Sequence, residues 1–228
     1  MNNMEHSLES MNQAVWYNQW ILNKIVKYLK NDILEVGCGI GNFTNSLIKY
    51  GKIWSIDIDQ HLIKKTEKKL NKKVKIGYGD IEKGKYYFKK KYFDTIICFN
   101  VLEHIKNDEN AVENLNKLLK KRGILLLVLP AHPKIYGSLD KHVGHFRRYE
   151  MNKLLSLLKS HNFDIILSKR INIIGALGWW FSGKVLKNTF VDLDKLSFFN
   201  KIAPFVLPIE DIIGTPIGIS ILVVAQKI

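Results

Sequence analysis

The stretch ILEVGCGIGNFT, residues 33–44, decides the fold predicted for this chain of 228 residues. It begins as a short apolar run, typical of a strand buried on both faces, and passes through Gly37, Gly39 and Gly41 into a helical segment. Glycines at such a turn allow a sharp change of direction and let a ligand lie against the backbone, because no Cβ intervenes. The stretch therefore predicts a ligand-binding turn between a strand and a helix.

The rest of the chain repeats the alternation of strand and helix. Six further apolar segments are predicted strands, at residues 52–59, 74–80, 93–100, 123–130, 163–171 and 220–228. Predicted helices lie within the first thirty residues and at 42–50, 59–70, 108–121 and 151–160, with Gly51 and Gly123 as the stops of the second and fourth. Strands that alternate with helices of this length predict an α/β fold with a parallel sheet.

Polar residues follow the predicted strands where open α/β sheets bind ligands, at their carboxyl ends. Asp57 ends the second strand, twenty residues after Gly37, where a carboxylate can accept both hydroxyls of an adenosine ribose. Asp80 follows the third strand and can reach an adenine amino group, and FNVLEHI, residues 99–105, follows the fourth. The spacing G-x-G-x-G differs from the G-x-G-x-x-G of dinucleotide sites, which disfavours a dinucleotide as the ligand.

With these motifs the sequence resembles the class I S-adenosylmethionine-dependent methyltransferases, whose pattern runs VLEVGCGxGxxT, DID, GD and NVLEH. The resemblance covers residues 11–130 by motif. It extends through PAHPKIYGSLDKHVGHFRRY and PIGISILVVAQK to bacterial and archaeal members associated with glycan or lipid-linked sugar pathways. It implies a Rossmann-like fold with a seven-stranded, mostly parallel sheet, an antiparallel last strand and helices on both faces.

A single domain over residues 1–228 is expected. Within it, residues 1–30 are expected to form a helical cap, and residues 172–217 an aromatic-rich insertion between the last two strands.

The resemblance implies S-adenosylmethionine as cofactor and S-adenosylhomocysteine as product. The residues expected to bind the cofactor share a place at the carboxyl ends of the first four strands: Glu35, Gly37, Cys38, Gly39, Asp57, Ile58, Asp80, Ile81, Asn100 and Val101. Of these, Glu35 would line the methionine portion, Asp57 the ribose and Asp80 the adenine. Tight turns and caps of the following elements are the alternative roles for the glycines and aspartates.

The acceptor side is predicted in the loop KHVGHFRRYE, residues 141–150, because this loop follows the fifth strand at the same sheet edge. An arginine fork binds a carboxylate or phosphate bidentately, which lysine does poorly. Arg147 or Arg148 is therefore expected to contact either an anionic group of the acceptor or an acidic partner such as Asp140. The predicted acceptor-binding residues are Tyr136, Asp140, Arg147, Arg148 and Trp179.

Methyl transfer is an in-line displacement at a carbon activated by a sulfonium, so the protein contributes positioning and a base where the acceptor carries a proton. Histidine titrates near neutrality, so the histidines near strand ends are the candidate bases: His104, His132, His142 and His145. Of these, His104, His132 and His145 are the predicted catalytic residues. A metal site built from His132, Asp140, His142 and His145 matches no standard ligand spacing, so no metal is predicted.

The expected reaction is methylation of a hydroxyl, amine or acid on a small molecule, sugar or lipid-linked glycan. The net charge of +14 raises the alternative of an RNA- or tRNA-directed methyltransferase. Nucleic acid is nevertheless not the expected partner, because the lysines are scattered and no RNA-binding motif is present. A non-catalytic adaptor that binds S-adenosylmethionine is a third alternative.

The cellular location is expected to be cytoplasmic. The chain has two cysteines, a polar start and no apolar run of membrane-spanning length. The stretch GALGWWFSG, residues 175–183, either adds a layer to the core, roofs the pocket or touches the inner face of the membrane.

Overall fold

The chain folds around one open sheet, and the computed structural model gives the order of its strands. The structure describes residues 14–70, 73–182, 186, 193–213 and 215–228, without the side chains of 193–198 and 213. The strands are β1 (Asp32–Val36), β2 (Lys52–Asp57), β3 (Lys75–Asp80), β4 (Lys85–Tyr86), β5 (Phe93–Phe99), β6 (Leu119–Pro130), β7 (Phe163–Ile171) and β8 (Ser220–Lys227). Their order across the sheet is β4-β3-β2-β1-β5-β6-β8-β7.

The predicted fold class is confirmed. Strands β3, β2, β1, β5 and β6 run parallel to one another, and β8 runs antiparallel between β6 and β7. The strand count differs from the expected seven, because β4 adds a two-residue antiparallel partner to β3. So short a strand leaves no alternating pattern that the sequence could show.

The helices are α1 (Val15–Ile25), α2 (Thr44–Leu47), α3 (Gln60–Leu70), α4 (Asp108–Leu118), α5 (Ser138–His142), α6 (Met151–Ser160), α7 (Ile173–Trp180) and α8 (Leu193–Ile213). In the predicted cap, residues 15–25 form α1, and residues 1–13 lie outside the described residues. In the predicted insertion, α7 and α8 are described, whereas residues 183–185, 187–192 and 214 lie outside them.

Two predicted helix ends are wrong. The helix predicted over 108–121 stops at Leu118, because Leu119 already pairs with Phe93 of β5 and begins β6. Gly123 therefore lies inside a strand and is not a helix stop. The helix predicted over 42–50 is α-helical only in α2 and continues as a 3-10 turn, Ile48–Tyr50, because the glycine turn before it extends to residue 43.

Both faces of the sheet are buried, which explains why the strands read as continuous apolar runs. Successive side chains of a strand point to opposite faces, so Leu125, Leu127 and Leu129 pack in the cluster that includes α4 and α6. Leu126 and Val128 pack in the other cluster, with α1 and α8. The two clusters hold the strands so that the carboxyl ends of β1, β2, β3 and β5 lie along one edge.

Candidate functional site

The glycine turn after β1 has a backbone that only glycine adopts without strain. Gly37, Gly39 and Gly41 have φ of +74°, +52° and +80°. The N–H of Gly37 donates to the carbonyl of Ile56 at 2.8 Å, which joins the turn to β2. A Cβ at Gly37 would lie 2.4 Å from Cγ2 of Val101, so the two segments are in direct contact. The turn therefore offers bare backbone at the sheet edge.

Asp57 at the end of β2 braces this turn. Its carboxylate accepts the N–H of Gly39 at 2.8 Å and the N–H of Asp59 at 3.0 Å. Burial raises the pKa of Asp57 in spite of these hydrogen bonds. The next residue, Ile58, leaves 67% of its surface exposed at the sheet edge. A carboxylate and an apolar side chain thus stand together beside the glycine turn.

Glu35 is buried beneath the same turn. Its Oε2 accepts hydrogen bonds from the hydroxyls of Thr44 at 2.5 Å and Ser55 at 3.0 Å. Burial raises the pKa of Glu35 to about 7, which the two hydroxyl donors oppose and the charge of Asp57 reinforces. Sequence reasoning missed both hydroxyls, although Thr44 ends the opening motif. Cys38 is buried beside this carboxylate, and burial raises the pKa of its thiol.

The end of β3 supplies a second carboxylate and an apolar neighbour. Asp80 is nearly buried, accepts the N–H of Lys83 at 3.0 Å and forms an ion pair with the Lys83 ammonium at 3.3 Å. Ile81 is buried, and its carbonyl accepts the Nδ2–H of Asn114 at 2.9 Å. The structure therefore gives Asp80 a turn-capping contact as well as its place at the edge.

The segment after β5 joins the glycine turn to the loop predicted as the acceptor side. Asn100 has φ of +53° and donates its N–H to the carbonyl of Val128. Two residues of the loop 141–150 are fastened here: the N–H of Phe146 donates to the Glu103 carbonyl at 2.7 Å, and the Tyr149 hydroxyl donates to the carbonyl of Leu102. The loop is therefore held against the segment that contacts Gly37 through Val101.

Asp140 is the centre of the acceptor side. Its buried carboxylate accepts hydrogen bonds from the Gly137 N–H (3.0 Å), His145 Nδ1 (2.9 Å), Arg148 Nε (2.8 Å) and Trp179 Nε1 (3.2 Å). Burial alone would raise the pKa of Asp140, but His145 and Arg148 outweigh it and lower the pKa. The ion pair of Arg148 with Asp140, one of two alternatives left open by the sequence, is present.

The remaining two predicted acceptor-binding residues, Tyr136 and Arg147, lie in different surroundings. The hydroxyl of Tyr136 donates to the His145 carbonyl at 2.7 Å, so Tyr136 belongs to the network around Asp140. Arg147 instead pairs with Asp108 at 2.8 Å and donates to the carbonyl of Lys106. It lines a shallow cleft of about 240 Å³, to which Arg148 of that network also contributes.

Two of the three predicted bases, His104 and His145, are in contact. The rings of His104 and His145 lie 4.7 Å apart between centroids, edge to face. Glu103 is fully buried beside them, with its Oε1 3.8 Å from Nε2 of His145. Burial raises the pKa of Glu103 to about 8 and, with His145 next to it, lowers the pKa of His104 to about 4. Sequence reasoning missed Glu103, although it belongs to the motif that follows the buried strand β5.

His132 does not join them. It stands at the end of β6 with φ of +59°, and its N–H donates to the carbonyl of Tyr149. Burial and the charges of Arg170 and Arg148 lower its pKa. Among the described residues, the group whose ligand atoms lie within 4.8 Å of one another is Glu103, His104 and His145.

An open α/β sheet with a bare glycine turn and carboxylates at adjacent strand ends defines the class of nucleoside-cofactor-binding, Rossmann-like proteins. A family model described as a methyltransferase domain matches residues 34–127. A ubiquinone biosynthesis O-methyltransferase of Rickettsia bellii is 32% identical over 176 residues, which are 63% of this chain and 69% of that protein. The chain belongs to the class I S-adenosylmethionine-dependent methyltransferases. Three other curated relatives are matched over less than half of their own length.

Solved structures show the same fold. An S-adenosylmethionine-dependent methyltransferase from Clostridium acetobutylicum superposes with a TM-score of 0.61 at 15% identity, covering 93% of this chain and 91% of that one. The N-methyltransferase NodS of Bradyrhizobium japonicum, in complex with S-adenosylhomocysteine, gives a TM-score of 0.57 at 14% identity, with 92% and 84% covered.

The residues at the sheet edge fit the family's cofactor, S-adenosylmethionine. Gly37 and Gly39 leave backbone without a Cβ, and Asp57 presents a carboxylate at the place where a ribose is bound in such sheets. Among the described residues, neither Glu35 nor Asp57 forms an ion pair with a lysine or arginine. Two such carboxylates complement the positive sulfonium and ammonium groups of this cofactor.

Proposed function

We propose that this protein transfers a methyl group from S-adenosylmethionine to an oxygen or nitrogen of a small-molecule acceptor. One observation carries the proposal: the segment after β5 contacts both sides of the site. Its Val101 touches the glycine turn at Gly37, and the carbonyl of its Glu103 accepts the N–H of Phe146 in the loop 141–150. A methyl donor on the turn and an acceptor under the loop would therefore be neighbours.

The proposed cofactor contacts follow the strand ends. Glu35 and the backbone of Gly37 and Gly39 hold the methionine part, Asp57 binds the ribose hydroxyls, and Asp80 faces the adenine. Cys38, Ile58, Ile81, Asn100 and Val101 complete the crevice. The bound cofactor supplies a methyl carbon activated by the sulfonium, and these residues orient it for in-line attack.

The acceptor is proposed to enter beside His104 and His145, under the network of Tyr136, Asp140 and Trp179. Arg148 donates a hydrogen bond from Nε to Asp140 and another from Nη1 to the carbonyl of Ala131. We therefore assign Arg148 the positioning of Asp140. An anionic group of the acceptor would instead bind the part-exposed Arg147, in competition with Asp108 and the carbonyl of Lys106.

The atom methylated is proposed to be a hydroxyl oxygen first, and an amine or acid second. The name of the Rickettsia relative, an O-methyltransferase, supports this order. Sugars and lipid-linked glycans carry such hydroxyls and belong to the proposed acceptor class.

Isothermal titration with S-adenosylhomocysteine tests the cofactor side. The wild-type chain should bind one equivalent, and Asp57→Asn should weaken binding by about 10-fold, since one charged hydrogen-bond acceptor is worth about 1.5 kcal/mol. Asp59→Asn is the matched control, because its carboxylate caps α3 by accepting the His61 N–H. Absence of binding to the wild-type chain would refute the proposal.

Two alternative functions, an RNA-directed methyltransferase and a non-catalytic adaptor, predict different experimental results. An RNA-directed enzyme would shift tRNA in an electrophoretic assay with a steep dependence on salt. A non-catalytic adaptor would bind S-adenosylhomocysteine and yet transfer no label from methyl-labelled S-adenosylmethionine to a pool of small hydroxyl acceptors.

Peripheral contact with a membrane is a second proposal, favoured by the outer face of α8. Phe205, Ile209 and Ile212 are 74%, 53% and 85% exposed and follow one stripe of the helix, whereas Ala203 and Leu207 on the opposite stripe are buried. In the described part of the chain, no helix is long and apolar enough to cross a bilayer. An apolar stripe on a chain of charge +14 suits the surface of an anionic bilayer.

Co-sedimentation with vesicles that contain phosphatidylglycerol tests this contact. The wild-type chain should sediment at low salt, and an Ile209→Ser/Ile212→Ser double variant should remain in the supernatant. Equal sedimentation of both proteins, or none of either, would refute a role for this face.

A further inference from the structure

We propose that Glu103, His104 and His145 bind one divalent transition-metal ion of the zinc type on the acceptor side of the crevice. The proposed binding of the ion rests only on the geometry of these three side chains. Its part in methyl transfer deepens the proposed function and rests on it.

The spacing of the three side chains suits a shared ion. One ligand atom from each lies within 4.8 Å of the others. Zinc with bonds of about 2.0–2.2 Å places neighbouring ligand atoms about 3.3–3.6 Å apart in a tetrahedron. Oε1 of Glu103 and Nε2 of His145 lie 3.8 Å apart, which is too long for a hydrogen bond and needs only a few tenths of an ångström to share an ion.

In both histidines the Nδ1 atom already contacts an oxygen acceptor. Nδ1 of His145 contacts the Asp140 carboxylate at 2.9 Å, and Nδ1 of His104 contacts the carbonyl of Gly144 at 3.2 Å. Carbonyl and carboxylate oxygens only accept, so each Nδ1 carries the proton and each Nε2 keeps its lone pair. Histidines that bind a metal through one ring nitrogen usually donate the other N–H to a carboxylate or a carbonyl.

Glu103 is the independent observation that points to a cation. Its side chain is fully buried, and among the described residues neither carboxylate oxygen accepts a hydrogen bond from another residue. The nearby Arg148 is already engaged by Asp140 and Ala131. A buried carboxylate without a partner costs several kcal/mol, and an ion that it ligates removes that cost.

Two imidazoles and one carboxylate favour Zn²⁺, Fe²⁺ or Co²⁺ over Mg²⁺ or Ca²⁺, which prefer oxygen ligands. Three protein ligands leave a position open, as in catalytic rather than structural zinc sites. A hydroxyl of the acceptor placed there would lose its proton to water more readily. Its oxygen would then form the bond to the methyl carbon while the carbon–sulfur electron pair returns to sulfur, giving S-adenosylhomocysteine.

The test measures metal directly, on the full chain without a histidine tag. The chain is stripped with a chelator and titrated with Co²⁺, whose visible absorption reports four- or five-coordinate binding, and with Zn²⁺ by calorimetry. We expect one equivalent of either ion. His145→Ala and Glu103→Gln should each weaken binding by at least about 10-fold, the lower range seen when metal-site residues are altered. His61→Ala, which removes an exposed histidine of α3, is the control and should bind as the wild type does.

Circular dichroism and S-adenosylhomocysteine titration accompany each variant, so that loss of folding is recognised. His104→Ala serves as the third ligand variant where Glu103→Gln fails to fold. Absence of a one-equivalent ion in the wild type, or binding that the ligand variants leave unchanged, would overturn the site. Stoichiometric metal binding without affinity for S-adenosylhomocysteine would uphold the site and refute the proposed function instead.

Discussion

Replacing the buried Glu35 by glutamine should stabilise the protein above neutral pH. The carboxyl group lies under the glycine turn, where burial raises its pKa from 4.5 to about 7. Glutamine has nearly the same shape, and its carbonyl can accept the same hydroxyl donors, from Thr44 and Ser55. The variant therefore removes the ionisation and keeps most of the packing.

The sign follows from proton binding in the two states. Between pH 4.5 and 7 the folded wild-type chain holds a proton on Glu35 that the unfolded chain has released, so stability falls as pH rises and levels off above 7. The full cost is about 3 kcal/mol, since a tenfold difference in proton affinity is about 1.4 kcal/mol. Glutamine does not titrate, so the advantage of Glu35→Gln over the wild type should grow by about 2.5 kcal/mol between pH 5 and pH 8.

Urea unfolding followed by tryptophan fluorescence at pH 5, 6, 7 and 8 measures this difference. Other titrating groups cancel when the two proteins are compared at each pH, and any constant effect of the substitution on packing appears as a pH-independent offset. Glu67→Gln, which removes an exposed carboxylate of α3, is the control for the loss of one negative charge. A difference between wild type and Glu35→Gln that stays constant within about 0.5 kcal/mol from pH 5 to pH 8 would refute the reasoning.

Four further substitutions test the framework of the site. Gly37→Ala should destabilise the fold by about 1–3 kcal/mol and abolish S-adenosylhomocysteine binding in calorimetry, because φ is +74° and the new methyl group would meet a valine. Arg148→Met should cost about 3 kcal/mol in urea unfolding by leaving Asp140 buried without its cation, whereas Arg147→Met at a part-exposed pair should cost less than about 1 kcal/mol. Asn172→Ala should cost about 1–2 kcal/mol in the same assay, since this residue caps α7 with φ of +66°, and equal stability would contradict the cap.

The strands and the ligand-bearing edge could be predicted from local patterns. Buried strands are short apolar runs, and the carboxyl ends of β1, β2 and β3 carry a glycine or an acidic residue that the pattern marked. The end of α4 was predicted wrongly because Leu118 and Leu119 are apolar in either a helix or a strand. Only the pairing of Leu119 with Phe93, a residue far away in the chain, decides between them. The short strand β4 escaped prediction because its two residues carry no periodicity.

The candidate site could be predicted only as a set of residues, not as contacts. The sequence offered two partners for the arginine pair, and the fold alone assigned Asp140 to Arg148 and Asp108 to Arg147.

By itself the sequence determined the α/β class, the glycine turn and the chemistry available at the sheet edge, because these depend on neighbouring residues. Tertiary structure alone decided that Glu103 and His104 meet His145, some forty residues further on, and that His132 does not. The first contact follows from the sheet order, because β5 and β6 lie side by side and the loops that follow them converge. His132 instead stays at the end of β6, where its N–H donates to the carbonyl of Tyr149. No local pattern of the sequence records either contact.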